Sequence, residues 1–306
     1  MKRRALLVAL ILCYSCVALA ADLHVPEEII GTETVAVLNL NVSSVKPDQV
    51  VKTMTDIMGK APEQAMSDQL KDFTTKFKDA GGKSISIVIN GSKDLNAAKS
   101  GDTTVVVVET AEGADVAKMT EFVNTNIPGV KDTVAADCPK NFNGKLVWYN
   151  KNYKLPTQNK DRAEAFSVAH GEVAEDQLLS LVVVPDENAQ EAVKANLKPE
   201  EAEIVRAILG GGGVCLFSNL GVSENPTIKV LVLAADAAGA ESIRNAVDKL
   251  LKEAKNGAPP EFQKLLEGLK LDQAGTNVQF SIAVVEWAKV AKAIFEAASA
   301  PPPAKP

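Results

Sequence analysis

Two stretches of this chain, 126 residues apart, carry one signature. Val105-Val106-Val107-Val108 precedes Ala111-Glu112-Gly113-Ala114-Asp115, and Leu231-Val232-Leu233-Ala234 precedes Ala237-Ala238-Gly239-Ala240-Glu241. A short aliphatic run bounded by turn residues reads as a buried strand, and the alanine-rich segment after it opens a helix. Upstream of each lies a glycine pair that stops a helix and feeds a strand, Gly81-Gly82 and Gly212-Gly213. A chain that repeats strand, turn and helix at matching offsets folds as two similar α+β halves.

The remaining pattern fills in each half. Thr34–Leu40 reads as a strand, followed by a helix with Val50, Met54, Ile57 and Met58 on one face and a second with Met66, Leu70, Phe73 and Phe77 at helical spacing. Strands follow at Ser84–Ile89 and Thr103–Glu109, then a helix carrying Val116, Met119 and Val123, then a strand at Leu146–Tyr149. In the second half, Leu178–Val184 reads as a strand hairpinned to Ala165–His170. Asp186 caps a helix and Pro199 starts another. Strands Val214–Ser218 and Thr227–Ala234 lead to a helix with Ile243, Val247, Leu250 and Leu251, a further helix from Pro260, strand Asn277–Val284, and a last helix with Trp287, Val290, Ile294 and Phe295. Each half therefore reads β-α-β-β-α-β, the split βαβ or ferredoxin-like arrangement, with helices packed on mainly antiparallel sheets. The polar stretch 150–162 marks the boundary, giving halves over 21–155 and 156–300 and a proline-rich tail over 301–306.

The N-terminus predicts export. Met1-Lys2-Arg3-Arg4 is a positive leader, Ala5–Leu19 an apolar run, and Ala18-Leu19-Ala20 a small-x-small cleavage site, which places a signal peptide over 1–20 cut after Ala20. The run is too short to span a bilayer comfortably, so no transmembrane anchor is expected in the mature chain. Removing Lys2, Arg3 and Arg4 lowers the basic count from 33 to 30 against 39 acidic residues, a net charge of −9. That balance disfavours nucleic acid and anionic membranes as partners. A secreted or periplasmic location follows.

The leader, Val25-Pro26-Glu27-Glu28 running into a strand, and the doubled body together resemble a loose group of uncharacterised exported bacterial proteins with a duplicated α+β body. The resemblance implies a surface or periplasmic location and carries over no catalytic residues.

The residues that commonly carry chemistry are sparse. Cys13-x-x-Cys16 falls in the leader, leaving Cys138 and Cys215, enough for one disulfide in an oxidising compartment; Cys215, however, sits in an apolar run where a free buried thiol is common, which favours two thiols. A phosphate loop needs glycines running from strand to helix, whereas Gly210–Gly213 and Gly81–Ser84 run from helix to strand. His24 and His170 stand alone, without a partner at metal-ligand spacing, and neither H-E-x-x-H nor G-x-S-x-G occurs. No cofactor, metal or catalytic residue is expected. Glu200-Glu201 after Pro199 suits a first helical turn. Asn41-Val42-Ser43 and Asn90-Gly91-Ser92 are glycosylation triplets.

One feature suggests recognition. Trp148, Tyr149 and Tyr153 border the polar Asn150-Lys151-Asn152, and neighbouring strand residues face opposite sides, so at least one ring is expected at the surface to meet a protein or a glycan. The sequence thus points to a non-enzymatic binding, structural or envelope-associated protein. A hydrolase or inhibitor-like protein with a site assembled between the halves is the alternative.

Overall fold

The computed structural model describes residues 25–58, 61–91, 104–127, 134–151, 153, 159–171, 177–185, 213–256, 258, 260–286 and 288. The leader with Ala20, His24, the helices after Asp186 and Pro199, Gly210–Gly212, Trp287, the closing helix and the tail lie outside them. Ten strands form one antiparallel sheet, so the protein is α+β. The strands are β1 (Thr34–Leu40), β2 (Gly82–Asn90), β3 (Thr104–Thr110), β4 (Lys140–Phe142), β5 (Lys145–Tyr149), β6 (Leu179–Val183), β7 (Gly213–Ser218), β8 (Thr227–Leu233), β9 (Lys270–Ala274) and β10 (Asn277–Ala283). Their order is 4-5-3-2-1-6-7-8-10-9. Outward from the centre, the first five run 1-2-3-5-4 and the last five 6-7-8-10-9. The seam is the β1–β6 ladder, from Ala36 opposite Val183 to Leu40 opposite Leu179.

Among the described residues the helices that accompany the strands are α1 (Pro47–Met58), α2 (Gln64–Asp79), α3 (Val116–Asn126), α4 (Lys160–Gly171), α5 (Ala237–Asn256) and α6 (Pro260–Glu267). The split βαβ order does not appear. In it a single helix carries the chain to the far end of the sheet, so the next strand is parallel and leaves room for an inserted one. Here two helices, α1 and α2, pack on each other and return the chain to the end it left, so β2 lies directly against β1, antiparallel.

Alternation along the strands sends side chains to two covered faces. On one face Ile85, Val106, Val108, Leu146 and Trp148 pack with Phe77 of α2 and Met119, Phe122 and Val123 of α3. The same face continues through Leu216, Val230, Val232 and Val278 to Ala240 and Ile243 of α5. On the other, Val37, Val88, Val105, Val107, Val147, Val182, Cys215 and Leu231 pack with Val25, Ile29 and Ile30 and with Ala163, Phe166 and Ala169 of α4. Gly82 begins β2 where Phe77 presses closest: a Cβ there would lie 2.4 Å from the ring.

Other expectations need correction. Residues 165–170 lie in helix α4 rather than a strand. Ala165–His170 suits a period of two, but the buried set Ala163, Phe166 and Ala169 has the spacing of a helix, which Asn159 caps through Oδ1 to the Arg162 N–H at 3.0 Å. Val116 and Met66 are exposed instead of facing the sheet, because each sits in the first turn of its helix, beyond the edge of the contact.

Candidate functional site

The three aromatic residues singled out in the sequence lie at one end of the sheet, but not at its surface. Trp148 is 1% exposed and belongs to the α2–α3 face; Tyr149 is 6% exposed and belongs to the α4 face; Tyr153 is half-buried against that second core. Adjacent residues in a strand do point to opposite sides, and both sides are covered. The expected exposed ring is therefore absent among these three.

The β4–β5 hairpin organises what surrounds Tyr149. Asn143 and Gly144 take the left-handed backbone, φ 52° and 84°, that a two-residue hairpin turn demands. Asn141 Oδ1 accepts the Gly144 N–H at 2.9 Å, which fixes the turn. The hairpin sets Lys140 opposite Val147, so its ammonium reaches back to 5.2 Å from the Tyr149 ring centre. Tyr149 donates its hydroxyl to Asp137 Oδ2 at 3.0 Å, and Lys140 Nζ meets the same oxygen at 3.0 Å. Hydrogen bonds to the Tyr149 phenol and to Asp137 hold the Lys140 ammonium well above its ordinary value. The same bonds, from Lys140 first and Tyr149 second, hold the Asp137 carboxyl low. Burial pushes the Tyr149 phenol and the neighbouring Cys138 thiol up.

A second chain of bonds adjoins the first. The Tyr153 ring lies 6.0 Å from that of Tyr149. Asn90 at the end of β2 donates Nδ2 to Tyr153 Oη at 3.0 Å and accepts the Thr34 hydroxyl at 2.7 Å, while Thr34 Oγ1 accepts the Gly31 N–H at 3.1 Å. Burial pushes the Tyr153 phenol up to about 12. Asn90 is thus a buried bridge between strand ends, and its triplet offers no accessible amide for a glycan in the folded chain. Asn41, in the other triplet, accepts the Ser44 N–H at 3.2 Å and the Ser43 hydroxyl at 2.7 Å.

Arg162, reaching from α4, ties the seam at this end. Its Nε donates to Thr34 O at 2.9 Å and Nη1 to Pro185 O at 3.2 Å; Nη2 donates to Thr34 O and Val184 O. Nothing in the local sequence announces this role, because Arg162 follows a polar stretch that reads as a linker. The nearest signal is Asn159, whose cap starts α4 and aims Arg162 at the strand ends.

Cys138 and Cys215 are thiols rather than a disulfide. Cys215 faces the last turn of α4 and donates to Ala169 O at 3.0 Å. Gly82 and Gly213 each open a strand, so neither glycine run presents a helix N-terminus.

At the opposite end of the sheet lies a cleft of about 320 Å³. Lys52 and Asp56 of α1 form one wall; Glu224–Pro226 before β8, Thr227 at its start, and Ala283, Val285 and Glu286 at and after the end of β10 form the other. The turn 219–223 holds α1 there: Lys46 N–H donates to Gly221 O at 3.0 Å and Lys46 Nζ to Val222 O at 3.3 Å. Sequence reasoning missed this cleft because its walls come from segments some 170 residues apart.

Among the described residues, no helix is long and apolar enough to cross a membrane and no group of three or more His, Cys, Asp or Glu residues could hold a metal ion. No family model, curated protein or solved structure matches the chain.

Proposed function

We propose that this is an exported, non-enzymatic binding or envelope-associated protein built from two similar halves over 21–155 and 156–300. One observation supports the non-enzymatic reading of this cluster: Tyr149 Oη and Lys140 Nζ both bond to Asp137 Oδ2, so the groups with chemical potential engage one another. The Cys138 thiol and the Tyr149 and Tyr153 phenols are raised, and so kept protonated, and the Lys140 ammonium is raised and so kept charged. A thiol nucleophile, a tyrosinate base or an amine nucleophile needs the opposite displacement, towards neutral pH. These residues brace a sheet end.

Recognition falls to the cleft. Carboxylates of Asp56, Glu224 and Glu286, the Lys52 ammonium and the polar groups of Asn225 and Thr227 suit a hydrogen-bonding partner such as a polypeptide or a glycan. The matching strand orders 1-2-3-5-4 and 6-7-8-10-9 support the duplication. A helix follows β3 and another follows β8, each capped by an aspartate (Asp115 to the Lys118 N–H at 3.1 Å, Asp236 to the Gly239 N–H at 2.7 Å), but at different points of the repeated signature, since Ala111–Asp115 forms the turn before α3 whereas Ala237–Glu241 lies inside α5.

The test uses the chain after removal of residues 1–20, screened against an oligosaccharide array and a peptide display library beside the Glu224→Lys/Glu286→Lys variant. Capture by the wild type that the variant loses, with the captured molecule intact, supports the reading; equal capture by both refutes the cleft. Intact mass of the exported chain tests cleavage after Ala20. A hydrolase is the second reading, because the cleft joins α1 of the first half to strand ends of the second and gathers three carboxylates. Cleavage products of a captured molecule, lost in the same variant, would favour it.

A further inference from the structure

The α4 face of the sheet is apolar along the row Tyr149, Val105, Val88, Val37, Val182, Cys215 and Leu231, yet the row next to it changes character at the centre. There Ser86 of β2, Asn39 of β1 and Ser180 of β6 stand directly opposite one another across the seam. Two-residue alternation from Val88, Val37 and Val182 puts all three on that face. Their exposures are 1%, 0% and 1%. The row continues into Val107 beside Ser86 and Phe217 beside Ser180, both buried, so apolar side chains close it laterally.

Neither Ser86 Oγ nor Ser180 Oγ meets a hydrogen-bond partner among the described residues, and both are shut off from bulk solvent. Buried hydroxyls are almost always partnered, by protein or by ordered water. Between Val107 and Phe217 the row holds no ionisable side chain, the nearest in it being Lys229 beyond Phe217 and Lys140 beyond Val147, so an occupant there bonds to hydroxyls and an amide. We infer that the seam contains an internal solvent site in which ordered water accepts from or donates to Ser86 Oγ and Ser180 Oγ on either side of Asn39. An internal water makes about three hydrogen bonds. The Asn39 amide has two donor and two acceptor positions, enough to complete a water on each side while keeping its other contacts. The serines then act as ligands of the site, and the water joins the side chains of three strands where the two stretches of the sheet meet.

The test is a crystal structure of the chain lacking residues 1–20 at about 1.5 Å, where waters buried to this degree are seen individually. Expected is an ordered water within hydrogen-bond distance of each serine hydroxyl, one on either side of Asn39, present in every copy in the crystal. The Ser86→Ala/Ser180→Ala variant should fold and lose that water, while Ser86→Thr/Ser180→Thr, which keeps the hydroxyls, should retain it. If the Ala variant does not fold, the single substitutions Ser86→Ala and Ser180→Ala are read side by side, each losing water only on its own side. The inference is overturned if both wild-type hydroxyls bond directly to protein atoms with no water between, or if the water stays when the hydroxyls are removed.

Discussion

Replacing Arg162 with methionine removes the guanidinium while keeping most of its apolar stem. Three main-chain carbonyls, those of Thr34, Val184 and Pro185, lose a charged donor. Hydrogen bonds to charged groups contribute about 1.5–3 kcal/mol each when well buried. Arg162 is only half-buried, so water recovers part of the loss, and the lower end of the range discounted for that gives about 3 kcal/mol for the three together. The methionine keeps contact with Phe166, whose ring the guanidinium overlies at 5.6 Å, so little packing is lost. With a urea slope of about 3 kcal/mol/M for a chain of this size, the midpoint should fall by about 1 M.

The loss should also be local before it is global. The Val184 N–H donates to Val35 O at 3.1 Å, beyond the last ladder pair of the seam, where Arg162 holds the neighbouring carbonyls. Hydrogen exchange at Val184 should therefore accelerate more in Arg162→Met than exchange at Leu231 in the β7–β8 ladder. Arg162→Lys should recover about a third of the loss, since one ammonium cannot reach three carbonyls at once. A midpoint for Arg162→Met within about 0.2 M of wild type, or equal exchange at the two sites, would refute the idea that this arginine closes the seam.

Gly82→Ala puts a Cβ at 2.4–2.6 Å from three Phe77 ring atoms in a fully buried contact, and overpacking of that kind should cost about 2–3 kcal/mol in urea unfolding, relieved by adding Phe77→Leu. Once residues 1–20 are removed only Tyr149 and Tyr153 remain of the three tyrosines, so tyrosinate absorbance at 295 nm should appear at higher pH than for a free tyrosine, with a step at about 12 from Tyr153. Because the folded value lies above the unfolded 10, the folded state holds that proton more tightly. Its stabilisation is intact below pH 10 and is lost as pH rises towards about 12, which thermal melts across that window will show. A thiol reagent should find two reactive groups per chain in denaturant, with Cys215 silent in the native state behind Ala169 and Cys138 slow because its thiol is held protonated.

Strands rich in β-branched residues are written plainly in the sequence: β1, β2, β3, β5, β6, β7, β8 and β10 all coincide, within two residues, with the aliphatic runs. The strands missed are β4 (Lys140-Asn141-Phe142) and β9 (Lys270–Ala274), short, polar edge strands that gain their conformation from one neighbour. Their turns were readable, Asn143-Gly144 and Gly275-Thr276, and would have found both hairpins. Strand order is a different matter. Alternation says that Val37 and Val182 share a buried face, but nothing in either strand says that β1 pairs with β6. The Tyr149–Asp137–Lys140 cluster was half visible: the ring was singled out, while its partners sit one hairpin away and only cross-strand register brings them to it.

The same register accounts for why chemically suggestive residues end up as structure here. An antiparallel sheet whose two faces are both covered leaves its polar side chains two places, the strand ends and any row where the covering layers do not demand carbon. Thr34, Asn90 and Tyr153 occupy one strand end and bond to one another, while Tyr149 beside them donates to Asp137. Ser86, Asn39 and Ser180 occupy such a row at the seam. The cleft beside α1 differs in kind, since Lys52, Asp56, Glu224 and Glu286 line open space there. Its opposite walls are a helix from the first stretch of the chain and strand ends from the second. A partner bound there would contact both stretches at once and add to the β1–β6 ladder in holding them together, so binding and resistance to unfolding at the seam should rise in step.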